Sequence, residues 1–345
     1  MTEREEMYNA FTDEEKESII GREPTKLFYK FNDFEYKTES KPRILSGIRK
    51  LDYMLKGFEL GCITLWSGAT NAGKTTLLTL ITRETIKQGN KVFFFNGEQT
   101  KDDFKNNLYK ASVTNSSDFI RVPYKDSDIV DWYVKDIKVK ELDRLYGNNL
   151  IVYNNNISRD IDTLLLAMEQ ANKQLGVRCF VLDNFMQIDV EGDNIYQEQT
   201  KIMEKLRTFA VNNEVHIHLV AHPRKIDNFQ VRLTLYDVAG TMNIPNKAYN
   251  IISIIRVSNV IKNSFEYKRL RLDMAKAGYD MLQCDGILEV LKTKGNENGL
   301  VGLKFDTEKR TYYLADILTG EKKEELIRSI EIEYENAKLK NNMPF

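Results

Sequence analysis

Only three cysteines, Cys62, Cys179 and Cys284, occur in 345 residues, far apart and outside any CxxC spacing. An odd number cannot close into a disulfide framework, so a reduced, cytoplasmic protein without a zinc module is expected. No stretch approaches the ~18 consecutive apolar residues of a membrane span. The start MTEREEMYNAF also lacks the basic start and the apolar run of a signal peptide, and no membrane association is expected. The six prolines are too dispersed to mark a long linker, and no repeat or low-complexity tract stands out. Charge of one sign is lacking too. The 50 basic and 51 acidic residues leave a net charge of -1, so any site for a polyanion must be local.

Apolar residues make up 42% of the chain and charged residues 29%, enough for a packed core. The length leaves room for about two average domains, or for one large α/β domain with extensions. Residues 1 to 22 carry seven acidic and three basic side chains, whereas Arg256 to Lys276 carries six basic and two acidic ones. From Gly61 onward short β-type runs alternate with helical patterns: CITLWS, KVFFFNG, LIVYN, RCFVLDNF and VHIHLVAH, with helices between them. That rhythm predicts parallel βα units. Between Asp160 and Leu175, for example, Ile161, Leu164, Leu165 and Met168 recur at helical spacing, with Ser158 as the expected cap and Gly176 after the end. The C-terminal third reads differently: IISIIRV, FEYKRLRLDMA, GILEVLKTKG and VGLKF are expected as antiparallel strands that extend the sheet. The expected organisation is an arm or linker over 1–42, an α/β domain over 43–318 and a charged helical tail over 319–345.

Gly68-Ala69-Thr70-Asn71-Ala72-Gly73-Lys74-Thr75 fits the Walker A pattern GxxxxGK[ST], and Thr76 follows it. It sits between an apolar run and a helical run, the setting the motif needs. Glycines let backbone N–H groups close around phosphate oxygens, the helix N-terminus adds positive partial charge, and Lys74 supplies a full charge. ATP with Mg²⁺ is therefore the expected ligand, with the Thr75 hydroxyl offered to the metal. Hydrolysis also needs an acid at the metal and a group that orients water. Asp183 ends the apolar strand RCFVLD and is the expected Walker B acid. Glu98, just after KVFFFNG, is the expected general base at the carboxyl edge of the sheet. His216, His218 and His222 share one strand face by their even spacing. A metal site is weighed there against a packed face, and no cysteine or carboxylate pair accompanies the three. His222 ends the strand, where it is expected to reach the γ-phosphate from the side opposite Glu98.

These residues resemble the RecA-type hexameric replicative helicases, especially the DnaB, Twinkle and bacteriophage branches. The resemblance runs through SGIRKLDYMLKGFELGCITLWSGATNAGKTT, FFFNGEQTKDDF, FVLDNFMQID, EQTKIMEKLRTFA, VHIHLVAHPRK and DVAGTMNIPNKAYNIISIIRV to LKTKGNENGLVGLKF, about residues 45 to 306. It implies a RecA-like P-loop core with a mostly parallel sheet, and an ATP-dependent DNA helicase active as a homo-oligomer, usually a hexamer. The implied setting is the cytoplasm, the host's if the source is viral. In the family, residues matching Glu98, Asp183 and His222 polarise water, support the metal and sense the γ-phosphate. The trans-acting finger matches Lys292-Thr293-Lys294, with Lys294 where the family usually carries arginine. Lysine cannot make a bidentate fork.

Single-stranded DNA at a replication fork is the implied partner, with Arg224, Lys225, Arg232 and Lys247 as expected phosphate contacts. The run Lys268, Arg269, Arg271 is a further candidate, and Tyr312 or Tyr313 is a candidate stacker on the base. About 45 N-terminal residues cannot hold a primase or zinc-binding domain, so a separate primase, and a loader or polymerase, are implied. Residues 1 to 22 are expected to pack on a neighbouring subunit. The runner-up reading is a RecA- or RadA-like recombinase or mediator, and the third a regulatory ATPase that binds proteins.

Overall fold

Burial along the central strands explains the layering. Val92, Phe93, Phe94 and Phe95 are consecutive and all buried. Alternate side chains of a strand point to opposite faces, so such a strand needs cover on both sides. The computed structural model describes residues 30–33, 42–125, 130–190, 194–224, 231–238, 243–257 and 265–341. It divides into two units, Met1–Lys41 and Pro42–Phe345. In the first, the described segment is a short 3-10 turn, Phe31–Asp33.

The second unit begins with β1 (Arg43–Ile44), α1 (Arg49–Leu55), β2 (Phe58–Glu59), β3 (Cys62–Ser67), α2 (Lys74–Lys87) and β4 (Val92–Asn96). Next come α3 (Lys101–Ser112), the hairpin β5 (Phe119–Pro123) and β6 (Val130–Val134), α4 (Asp136–Tyr146), β7 (Leu150–Val152), α5 (Ile161–Leu175) and β8 (Cys179–Asp183). The remainder is α6 (Ile195–Asn212), β9 (His216–Val220), α7 (Asn243–Lys247), β10 (Asn250–Arg256), α8 (Phe265–Lys276), β11 (Gly286–Lys292), β12 (Gly299–Asp306), β13 (Thr311–Leu314) and α9 (Gly320–Asn341). Among the described residues the main sheet has the order β13-β12-β11-β10-β3-β9-β8-β4-β7. From β10 to β7 all neighbours are parallel, and β11 to β13 add an antiparallel edge. This is the expected α/β architecture, with one revision: β10, expected among the antiparallel strands, lies parallel to β3.

Two apolar layers clothe the sheet. Phe94, Val181, Leu77 and Ile81 belong to one, and Phe93, Phe95, Phe180, Leu182, Met203 and Leu206 to the other. Fully burying each such side chain contributes about 1.5–3 kcal/mol. α5 follows the expected pattern, but its cap is Asp160: Oδ1 accepts from the backbone N–H groups of Asp162 and Thr163 at 3.0 and 2.8 Å. Ser158 acts one step back, donating its hydroxyl to the Asp160 carboxylate at 2.5 Å. Gly176 closes the helix with φ 74°, in the left-handed region.

The segment FEYKRLRLDMA, expected as a strand, is helix α8 instead. Tyr267, Leu270 and Met274 recur at helical spacing and are buried, and the alternating charges between them conceal that period. α9 carries Ile330 buried and Leu326 and Ile327 half-buried, and Glu333 pairs with Arg271 of α8 at 2.6 Å. No helix among the described residues is long and apolar enough to cross a membrane. The expected arm helix, residues 1 to 22, lies outside the described residues.

Two of the three histidines are packing groups. The His216 ring nitrogens meet the Glu59 carbonyl and the Thr64 hydroxyl at 2.7 and 3.0 Å, and Trp66 Nε1 donates to His218 Nδ1 at 3.2 Å. Phe58 packs edge-on to His218, ring centroids 4.5 Å apart. Burial lowers the pKa of His216 to about 4, and that of His218 well below its ordinary value.

Candidate nucleotide site

The polypeptide leaves β3 at Ser67 and enters α2 at Lys74, so the intervening loop wraps the helix N-terminus. Two glycines make that path possible. Gly73 has φ 94°, and a Cβ there would strike the Tyr312 hydroxyl. Gly68 has φ 154°, and a Cβ there would strike the Ile254 carbonyl oxygen. Asn71 also takes a positive φ, 61°, which asparagine tolerates better than most residues. Ala69, Thr70 and Asn71 are exposed, Ala72 is buried, and Thr75 and Thr76 are half-buried. Lys74 Nζ donates to the Gly68 and Ala69 carbonyls, both at 2.9 Å. The ammonium thus lies across the cradle, and burial lowers its pKa against the opposing pull of Asp183 and Glu98.

Strand register assembles the acids. Asn96 lies opposite Asp183 where β4 and β8 end, which sets Glu98 just beyond the sheet edge. The turn is fixed by Asn96, whose Oδ1 accepts from the Glu98 and Gln99 N–H groups at 3.4 and 3.1 Å. Thr75 Oγ1 donates to Asp183 Oδ2 at 2.6 Å. Burial pushes the Asp183 carboxyl up to about 6, and the Thr75 bond opposes this. A hydroxyl and a carboxylate held together are the hard oxygen donors that Mg²⁺ takes. A buried carboxylate with a raised pKa is also one that a cation would stabilise, so these residues fit the metal.

Asn184, missed by the sequence reading, joins the remaining groups. Its Oδ1 accepts from Met186 N–H at 2.8 Å, which aims its amide nitrogen at the site. That nitrogen donates to Glu98 Oε1 and lies 3.0 Å from His222 Nε2. His222 Nε2 is in turn 3.4 Å from Glu98 Oε1. β8 lies between β9 and β4 in the sheet, and Asn184 at its end bridges His222 and Glu98.

The cradle and these acids line one cavity of about 930 Å³, which extends to Arg256, Phe305, Arg310 and Tyr312 from the antiparallel edge. Tyr312 is buried and faces this cavity, whereas Tyr313 is exposed, as strand alternation requires. Of these four only Tyr312 was a sequence candidate. The others come from β10, β12 and the turn after β12, too far along the chain for local spacing to connect them with the cradle.

The expected DNA-contacting cations divide. Arg224 pairs with Asp237 at 2.8 Å, and Lys247 pairs with Glu204. Arg232 is gripped by Glu289 and Asp273, with Nε to Glu289 Oε1 at 3.1 Å and Nη1 to Asp273 Oδ2 at 2.5 Å. Its guanidinium is thus engaged by carboxylates within the chain. Lys225 lies outside the described residues. Lys292 Nζ donates to the Pro245 and Asn246 carbonyls at 2.9 and 3.2 Å, and Lys294 Nζ lies 5.4 Å from the centre of the Tyr249 ring. Lys268, Arg269 and Arg271 lie on α8, and Arg271 is engaged by Glu333.

Asp183 gives a stability prediction with a definite sign. An acid whose folded pKa is raised holds its proton longer in the folded state, so stability falls as pH rises from about 4 to about 6. Holding this carboxylate ionised at pH 7 costs about 3 kcal/mol, the Thr75 bond included. Asp183→Asn is expected to unfold in denaturant with up to about 3 kcal/mol more stability at pH 7 without metal or nucleotide, and the gain should vanish near pH 4. An equal or lower stability at pH 7 would contradict the burial cost.

Comparison with known proteins agrees with this geometry. The family model of the AAA domain matches residues 32–228. No curated protein matches the chain by sequence. Among solved structures, one similar fold is a DnaB-like replicative helicase, studied with its interactions with primase: TM-score 0.60 at 15% identity, covering 81% of this chain and 63% of that one. The chain thus spans less than two thirds of that helicase. A second is the ATPase domain of another protein, solved as a domain, with TM-score 0.59 at 15% identity, covering 80% of this chain and 92% of that domain. The shared fold is the RecA-like ATPase core of such helicases.

Proposed function

The chain belongs to the AAA domain family, and from that premise we propose that it is an ATP-hydrolysing motor that moves along single-stranded DNA and separates duplex strands. The observation that carries this reading is the convergence of Lys74, Thr75, Asp183, Glu98 and His222 on one cavity at the mouth of a helix N-terminus, with Asn184 behind the last two. Phosphate held by a backbone cradle with a base beside it is the arrangement phosphoryl transfer needs.

In the proposed cycle, Lys74 turns from the Gly68 and Ala69 carbonyls onto the β- and γ-phosphate oxygens, and the loop N–H groups take the remaining negative charge. Mg²⁺, held by Thr75 and Asp183, would neutralise charge on those oxygens. Glu98 accepts a proton from water as the water oxygen bonds to the γ-phosphorus and the bond to the β-phosphate oxygen breaks, leaving ADP and phosphate. Asn184 keeps Glu98 and His222 in register. His222 thereby reports the presence of the γ-phosphate to the chain after Pro223, where Arg224, Lys225 and Lys247 are the proposed strand contacts. Lys292 and Lys294 are proposed to act on the nucleotide of a neighbouring copy in a ring, usually six-membered in helicases of this fold. Priming falls to a separate protein; the similar helicase studied with primase supports that arrangement.

A recombinase-like filament is the second reading, favoured by the lysine pair Lys292 and Lys294. Offering the protein a forked duplex with ATP and viewing it by electron microscopy separates the two. Closed rings with strand separation are expected. Filaments without unwinding would replace the helicase reading by the recombinase one.

A further inference from the structure

Sheet order gives the nucleotide cavity two unlike ends. The cradle follows β3. On one side of β3 lie β9, β8 and β4, whose ends carry His222, Asp183 and Glu98, and on the other lie β10 and the antiparallel strands β11 to β13. The acids and the histidine belong with the γ-phosphate and the attacking water. The sugar and nucleobase of a bound nucleotide therefore extend over the antiparallel edge.

Tyr312 sets the depth along that edge. A Cβ on Gly73 would strike its hydroxyl and lie 3.0 Å from Cε2, and a Cβ on Gly286 would lie 3.2 Å from Cε1, on the other edge of the ring. The ring is thus wedged between the last glycine of the cradle and the first residue of β11. Asp285 directly precedes that residue, one ring's width from the phosphate loop. In a nucleoside triphosphate the sugar follows the α-phosphate through one oxygen and one methylene, and the nucleobase lies beyond it. Asp285 stands at the sugar's depth in the cavity, which it lines.

Its carboxylate is a held acceptor. The Asp285 N–H donates to the Leu303 carbonyl at 2.8 Å and its carbonyl accepts from Val257 N–H at 3.0 Å, which pins the backbone between β12 and the end of β10. Oδ2 accepts from Phe305 N–H at 2.8 Å, and the side chain is exposed. Arg256 and Arg310 line the same cavity, yet neither pairs with Asp285 among the described residues; Arg256 Nη1 instead donates to the Asn71 carbonyl at 3.5 Å. A carboxylate left unneutralised beside a triphosphate repels it. It opposes binding unless the same ligand offers it hydrogen-bond donors, and at this depth those are the ribose hydroxyls.

We infer that Asp285 reads the sugar: its carboxylate accepts hydrogen bonds from the ribose hydroxyls, so that the protein selects ribonucleoside triphosphates over those lacking them. The inference rests on the ATPase reading and narrows its substrate class.

Equilibrium binding of ATP and of 2′,3′-dideoxy-ATP to the full chain with Mg²⁺ tests this. The parent is expected to bind ATP more tightly by roughly 10–10²-fold, the range for hydrogen bonds to a charged group. Asp285→Asn keeps an oxygen for the Phe305 N–H and should narrow that ratio; Asp285→Ala should bring it near one. In both variants ATP weakens while dideoxy-ATP binds at least as tightly as to the parent, because the repulsion leaves with the charge. A merely structural role would weaken both nucleotides alike, and that result would overturn the inference. So would equal binding of the two by the parent. Variants that keep the ratio and change the preference for ATP over GTP would overturn it as well, since the carboxylate would then face the nucleobase. Hydrolysis by Glu98→Gln separates the two levels. If Glu98→Gln is inactive while the Asp285 variants keep the parent's ratio, only the inference fails; if the parent binds neither nucleotide, or Glu98→Gln matches it in turnover, the ATPase reading fails.

Discussion

Glu98→Gln is expected to hold ATP as tightly as the parent and to hydrolyse it about 10²–10⁴ times more slowly, the range for removal of a general base. The substitution suits the geometry. Gln keeps an oxygen to accept the Asn184 amide, and the backbone at this position is fixed by Asn96 rather than by the side chain. The cradle, Lys74 and Asp183 are untouched, so binding persists. What disappears is the carboxylate that accepts the proton of the attacking water. Single-turnover hydrolysis together with equilibrium binding of a fluorescent ATP analogue distinguishes the two effects. Undiminished turnover would remove Glu98 as the base and leave His222 as the nearest other group able to take a proton.

Lys74→Ala is expected to weaken nucleotide binding by roughly 10²-fold or more, the equivalent of one or two charge-assisted hydrogen bonds lost to phosphate. The side chain is buried and spans the loop to two carbonyls. Its removal takes from the cradle the full charge that backbone amides cannot replace. The Gly68 and Ala69 carbonyls then turn to water, so a small drop in melting temperature is also expected. Calorimetric titration with ATP and Mg²⁺ checks the first effect and a thermal melt the second. Unaltered affinity in a folded variant would show that the loop is not the phosphate site.

The parts of the site readable from the sequence are those carried by contiguous residues. Gly68 to Thr75 is a loop whose chemistry is complete in eight positions, and Asp183 and Glu98 each end an apolar run that announces a buried strand. Their side-by-side relation depends on sheet order. Nothing local says that β8 lies between β4 and β9, so local reasoning does not show that His222 and Glu98 stand within 3.4 Å of each other. Asn184 escapes the motif although it follows Asp183 directly; a polar residue just after a strand-ending acid is the available signal. Arg232 resembles a free loop cation because its partners, Asp273 and Glu289, lie on later elements. In α8, alternating basic residues imitate a strand, while Tyr267, Leu270 and Met274 keep a helical period and decide the packing.

Turnover per subunit, measured across a dilution series while sedimentation reports the assembly state, tests the central claim most directly. If hydrolysis is completed by side chains of an adjoining copy, specific activity with Mg²⁺, ATP and a DNA oligonucleotide should rise steeply as assemblies form and vanish where only monomers remain. A monomer that hydrolyses ATP at the full rate would contradict the account.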